Sequence, residues 1–169
     1  MNFIKCTTDC KLSIVSIPDN ENYKAISDSI GADLFELVRV YSKALQEEDK
    51  VMIVDEEGLL KTENRCNPVG SVLYGTHEHG HPIVGDVMFA RIDRESPERD
   101  FADIPPADAE RIVAAMQVAI NALIDSGLAD QLRAKYDNAK PEPPKVMSFD
   151  SFEEYMNAAM GMRSAEGRA

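Results

Sequence analysis

The sequence predicts an α+β fold: a small, mainly antiparallel sheet packed against one long helix, with a tethered C-terminal helix after it. Three stretches carry that expectation. Val51-Met52-Ile53-Val54 runs into Asp55-Glu56-Glu57-Gly58 and then Leu59-Leu60-Lys61, the pattern of a strand, a tight acidic turn and a returning strand, with Gly58 suited to the left-handed backbone of a short loop. Ile83 to Arg91 is apolar and partly β-branched, and Gly85 within it marks a bulge or a close backbone approach. From about Pro106 to Ser126, Ile112, Met116, Ala119, Ile120 and Leu123 recur at helical spacing. Pro106 suits the first turn of that helix, Asp108 and Glu110 its positive end, and Gly127 its stop.

The other elements follow in chain order. Leu12, Ile14, Val15 and Ile17 make a first strand, closed by Pro18-Asp19-Asn20. Tyr23, Ile26 and Ile30 share a helical face over Asn22 to Ile30, with Gly31 just past the end. Asp33 to Tyr41 alternates as a strand, with a helix as its competitor. Asn64 to Pro68 is a polar break, and Val69 to Tyr74 reads as another strand or an extended edge. A charged loop from Arg91 to Asp103 precedes the long helix, and a second helix over residues 128–137 adds Leu128, Leu132 and Tyr136. Residues 1–139 then form one compact domain, residues 140–146 a proline-rich linker, and residues 147–169 a C-terminal helix with a disordered end. In that last segment Phe149, Phe152, Met156 and Met160 lie on one face, and Ser151 with Glu154 has capping-box spacing. A helix this short is marginal alone in water, so it either packs back on the domain or docks in a partner's groove; those four residues are the candidate partner-binding set.

Composition narrows the function classes. With 18 basic against 30 acidic residues the formal charge is -12, which opposes direct nucleic-acid binding, where Lys and Arg supply most of the affinity. The acids concentrate over Glu47 to Glu63 and Asp93 to Glu110, a solvated surface in the plain reading and a nucleic-acid mimic or dock for a basic partner in the sharper one. Cys6, Cys10 and Cys66 are odd in number and lack framework spacing, so they read as free thiols in a reducing compartment. No apolar run approaches the length of a membrane span and no signal segment opens the chain, so the expected location is the cytoplasm, with no membrane partner.

One constellation resembles a metal site: His77, His79 and His81 fall on one side of an extended segment, and Cys66 could add a fourth ligand, zinc being the metal such a set would take. Gly80-His81-Pro82 is poor helix, which removes the helical zinc-hydrolase arrangement, and an ordinary polar loop is the competing explanation. Otherwise no cofactor is called for. Asp55, Glu56 and Glu57 have charged neighbours and read as solvated turn residues rather than an acid-base pair. No catalytic residue is assigned, and a non-enzymatic role is the expectation.

The strand leading into Asp55-Glu56-Glu57-Gly58-Leu59-Leu60-Lys61, the following Asn67, and Ile83-Val84-Gly85-Asp86-Val87 together resemble a family of small domains of unknown function carried by phages, plasmids and Gram-positive or gut bacteria. The likeness covers roughly residues 11–115 and implies a compact α+β domain on mobile elements, with no activity to carry over. The expected function is therefore a binding or accessory module, of phage or mobile-element origin, that works through contacts with an unknown protein partner. A metal-binding protein or metalloenzyme built on His77, His79 and His81, and an acidic nucleic-acid mimic or anti-defence factor, are the alternatives.

Overall fold

The computed structural model describes residues 1–18, 22–40, 50–93, 95–96 and 100–140 of the 169-residue chain. Asn2–Cys6 forms β1, Leu12–Ser16 β2, Asn22–Ile30 α1, Phe35–Val38 β3, Lys50–Asp55 β4, Pro68–Tyr74 α2, Thr76–His79 α3, Val87–Ile92 β5, Phe101–Ala102 β6, Pro106–Asp125 α4 and Leu128–Tyr136 α5. The strands make one antiparallel sheet in the order β2-β1-β5-β4-β3, with β6 pairing the far end of β5. The expected α+β class is the one found.

Both faces of this sheet are covered. Side chains alternate along each central strand, so Ile4 and Cys6 of β1, Met52 and Val54 of β4, and Val87 and Phe89 of β5 join one core with Val69 of α2 and Ala109, Ile112, Met116 and Ile120 of α4. Phe3, Ile53, Met88 and Ala90 point the other way and pack with Ile26 and Ile30 of α1. A strand buried on both sides needs an unbroken apolar run rather than alternation, which is why Val51 to Val54 and Val87 to Ala90 read as they do. Among the described residues no single helix is long and apolar enough to cross a membrane; the pair α4 and α5 passes by composition only together, bent by 74° at Gly127.

Several expectations are corrected. Val51 to Lys61 is not a hairpin: β4 is an interior strand paired to β3 on one side and β5 on the other, and after it the chain turns into a 3-10 turn over Gly58–Leu60. Asp55 directs that turn, its carboxylate accepting from Glu57 N at 3.1 Å and pairing with Lys61 Nζ at 2.6 Å, while Lys61 also donates to Gly31 O. Asp55 is thus buried and paired, not a solvated turn residue, whereas Glu56 is exposed. Gly58 is not left-handed; its missing side chain matters because a Cβ there would lie 2.6 Å from Val84 Cγ2. Val69 to Tyr74 is helical, because Asn67 caps it through Gly70 N, Pro68 fits its first turn and Gly75 ends it with a φ of 78°. The expected strand from Ile83 starts only at Val87; Val84 makes a single bridge to Cys66, and Gly85 turns the chain with a φ of 77°. Strands β1 and β6 were not anticipated. The linker from Pro141 onward and the face of Phe149, Phe152, Met156 and Met160 lie outside the described residues.

Candidate functional site

Between α2 and α4 the surface opens into a cavity of about 480 Å³. Val69, Val72 and Leu73 of α2 form one wall, α4 from Arg111 to Ser126 forms the floor, and Leu128 at the start of α5 closes one end. At about 1.5 Å per helical residue the α4 floor is roughly 22 Å long. The wall stands where it does because α2 is tied at its start. Asn67, with no exposed surface, accepts from Gly70 N at 2.9 Å and donates to Cys6 O at 3.1 Å and Gly85 O at 3.0 Å. Ser71, one turn on, accepts from Ile83 N at 3.0 Å and donates to Ile83 O. Gly70 lets the helix sit close against β5's approach, since a Cβ there would be 2.9 Å from Ile83 Cγ2.

The floor comes from the unusual breadth of the apolar surface of α4. Ala109, Ile112, Met116 and Ile120 are buried against the sheet, yet Ala115, Ala119 and Ala122 on the adjoining flank are apolar and exposed. Val72 of the α2 wall and Leu128 at the end of the groove remain 43% and 40% exposed. An amphipathic helix normally turns polar just outside its core-facing stripe, so this extra apolar width is surface available for contact. Arg111 and Ser126 are the polar groups of the lining, at its two ends along α4. Arg111 pairs with Asp108 at 3.4 Å. Near it Lys50, buried at the start of β4, is brought down to about 8 by burial and then by the cations of Arg111 and Arg91, with Asp108 opposing.

The histidine loop is built differently from the extended segment expected. Thr76–His79 is one helical turn, so positions 77 and 79 lie about 200° apart around its axis rather than on one side. His77 is exposed and near Glu78 at 3.5 Å, and His81 is exposed beyond the turn. Cys66 is fully buried, 3.5 Å from Ser71 Oγ, with burial pushing its thiol up. Among the described residues no group of three or more His, Cys, Asp or Glu side chains is placed to hold a metal ion.

All three cysteines are free and buried. Cys6 is pushed up to about 12 by burial, with Cys10 and Asp86 adding to it. Cys10 is also raised by burial, against the pull of Arg133, whose Nη2 lies 3.3 Å from its sulfur.

The described residues thus define an α+β domain with a two-sided sheet and an open apolar groove on its helical layer. No family model matches the sequence, and no curated protein or solved structure matches it either. The groove residues Val69, Val72, Leu73, Ala115 and Ala122 were not among the candidates drawn from the sequence. Two signals pointed to them: Asn67-Pro68 followed by Gly75, which brackets a helix, and the alanines outside the stripe of the long helix.

Proposed function

We propose that this chain is a non-enzymatic binding module that acts through protein contacts, and that the groove between α2 and α4 receives an amphipathic helix. The observation that carries this is the exposed apolar flank of α4, Ala115, Ala119 and Ala122 over about two turns, beside a second apolar wall. A helix with apolar residues at i, i+3 or i+4, i+7 and i+11 would place them along such a trough and bury both surfaces at once. The free thiols fit a reducing cytoplasm, and a mobile-element origin, implied by the resemblance of the Asp55 to Lys61 and Ile83 to Val87 stretches, is part of the same proposal.

A fluorescein-labelled 16-residue helical peptide with leucines on one face and Glu and Lys on the other tests it. Anisotropy titration should saturate at micromolar protein. Ala119→Arg, which sets a guanidinium in the middle of the floor at little cost in helix propensity, should weaken binding at least tenfold, whereas Gln117→Arg, exposed and off the lining, should leave it unchanged. Equal affinity of both variants would refute the groove as the contact surface.

A further inference from the structure

One end of the sheet is an unguarded strand. We infer that β2 is the surface through which two copies of this chain join, its edge pairing antiparallel with the same edge of the second copy about a two-fold axis at Ile14. The backbone is the first ground. In the β1–β2 ladder Met1 and Ile17 exchange both bonds, at 2.7 and 2.8 Å, and Thr7 N donates to Lys11 O at 3.0 Å. With Asn2 opposite Ser16 and Cys6 opposite Leu12, the bonds to β1 fall on the odd-numbered residues of β2, and the N–H and C=O of Leu12, Ile14 and Ser16 point outward. β2 stands at the end of the strand order, and among the described residues no hydrogen bond reaches those outward groups.

Self-complementarity and charge make the occupant a second copy. Pairing about Ile14 sets Leu12 against Ser16, Ile14 against Ile14 and Ser16 against Leu12, and each pair exchanges two bonds, so every outward group is used. Leu12–Ser16 holds no charge, proline or bulge, the devices that keep sheet edges apart, in a chain with 28% charged residues. Ile14, 41% exposed, would face its own copy. Over residues 1–17 the charged side chains are Lys5, Lys11 and Asp9, so the net charge of -12 lies elsewhere and the copies meet where it is absent. The opposite edge is the contrast. β3 bonds β4 through Glu36 and Val38, in step with Glu56 N donating to Leu34 O, which leaves Phe35 and Leu37 outward. Self-pairing there would set exposed Glu36 directly against Glu36 of the second copy, a like-charge pair that opposes association. A five-residue ladder centred on one isoleucine pair falls below the ~1,000 Å² of a permanent interface, so the dimer forms and parts with concentration.

An interface of this size calls for sedimentation velocity of the full chain at about 10–500 μM. The weight-average mass should climb toward twice that of one chain. Ile14→Lys should hold it at the monomer value, with a urea midpoint near the parent's to show that the variant folds, whereas Ala119→Arg in the groove should associate as the parent does. The register has its own readout, because the native thiols are buried. Ile14→Cys places two sulfurs on a pair whose Cα atoms are about 5.5 Å apart, within disulfide reach. Ser16→Cys leaves its two sulfurs about 13 Å apart along the strands. With oxidised glutathione, Ile14→Cys should give a disulfide-linked dimer at least tenfold faster than Ser16→Cys, and this comparison decides alone if Ile14→Lys fails to fold. A monomer at every concentration, with both cysteines cross-linking at the same rate, would overturn the inference. So would association that survives Ile14→Lys, and its loss in Ala119→Arg would move the contact between copies to the groove.

Discussion

Replacing Asn67 by alanine should be among the most damaging single changes in this protein. The side chain makes three hydrogen bonds in a site without solvent, one accepted from Gly70 N and two donated to Cys6 O and Gly85 O. Alanine leaves all three partners unpaired, and at about 1–1.5 kcal/mol for each the loss is roughly 3–5 kcal/mol. That is a large share of the 5–15 kcal/mol or so that holds a typical domain together. With a urea dependence of about 2 kcal/mol per molar, the unfolding midpoint should fall by about 2 M. Asn67→Asp separates the bonds: it keeps the cap on Gly70 but turns a carboxylate oxygen towards two carbonyl oxygens. At pH 7 it should cost at least as much as alanine, and its deficit should shrink in acid, where the protonated carboxyl can donate. Urea denaturation followed by circular dichroism at pH 7 and pH 4 measures both. A loss under about 1 kcal/mol for Asn67→Ala would show that the backbone relaxes to satisfy these groups and would refute the claim that Asn67 holds the groove wall in place.

Three further outcomes follow from the same geometry. Gly70→Ala, which in an ordinary helix interior would stabilise, should destabilise by about 1–3 kcal/mol because the new methyl meets Ile83, and Gly58→Ala should do likewise against Val84; if Val84→Ala does not relieve Gly58→Ala in a double-mutant cycle, crowding is not the cause. Between pH 8 and 9 Lys50 should contribute a rise in stability, because the unfolded side chain keeps its proton while the folded one, held down to about 8, has begun to lose it; Cys6, Cys10 and Cys66, all held above the ordinary thiol range by burial, oppose it as their unfolded thiols begin to ionise, so the rise is read as the difference between parent and Lys50→Met. Lys50→Met should abolish the rise, and parallel stability curves for variant and parent would refute it. Iodoacetamide should modify the three buried thiols only as the protein opens, at rates at least a hundredfold below those in urea and faster in Asn67→Ala; one thiol reacting at the unfolded rate in the native protein would contradict the packing around it.

Local patterns were most legible where they were self-contained. The helix from Asn22, the strand at Leu12 and the two helices flanking Gly127 carry their own periodicity and stops, and all four lie close to where those signals place them. The misreadings came from long-range partners. Leu59-Leu60 looks like a returning strand until Asp55 is seen to hold Glu57 and Lys61, and Val69 to Tyr74 looks β-branched enough for a strand until the Asn67 cap is weighed. Asn67, Gly85 and Asp86, noticed as parts of a familiar pattern, prove to be joints: Asp86 pairs with Lys5 at 2.8 Å and accepts from Thr8 N at 3.1 Å. The groove was hidden because no periodicity states which of two apolar flanks of a helix meets the sheet.

The place of β1 in the sheet has a consequence for how the protein comes into being. β1 sits between β2 and β5, and its register sets Ile4 against Phe89, so this strand cannot complete its pairing until β5, far along the chain, has emerged from the ribosome. β1 and β2 can zip together early, but the open side of that ribbon, carrying Ile4 and Cys6, must wait for β5. Chain closure across such a separation slows folding, and the waiting edge is a template for pairing with a neighbouring nascent chain. Production at lower temperature or slower elongation should therefore raise the soluble yield of this chain more than any change to its finished surface.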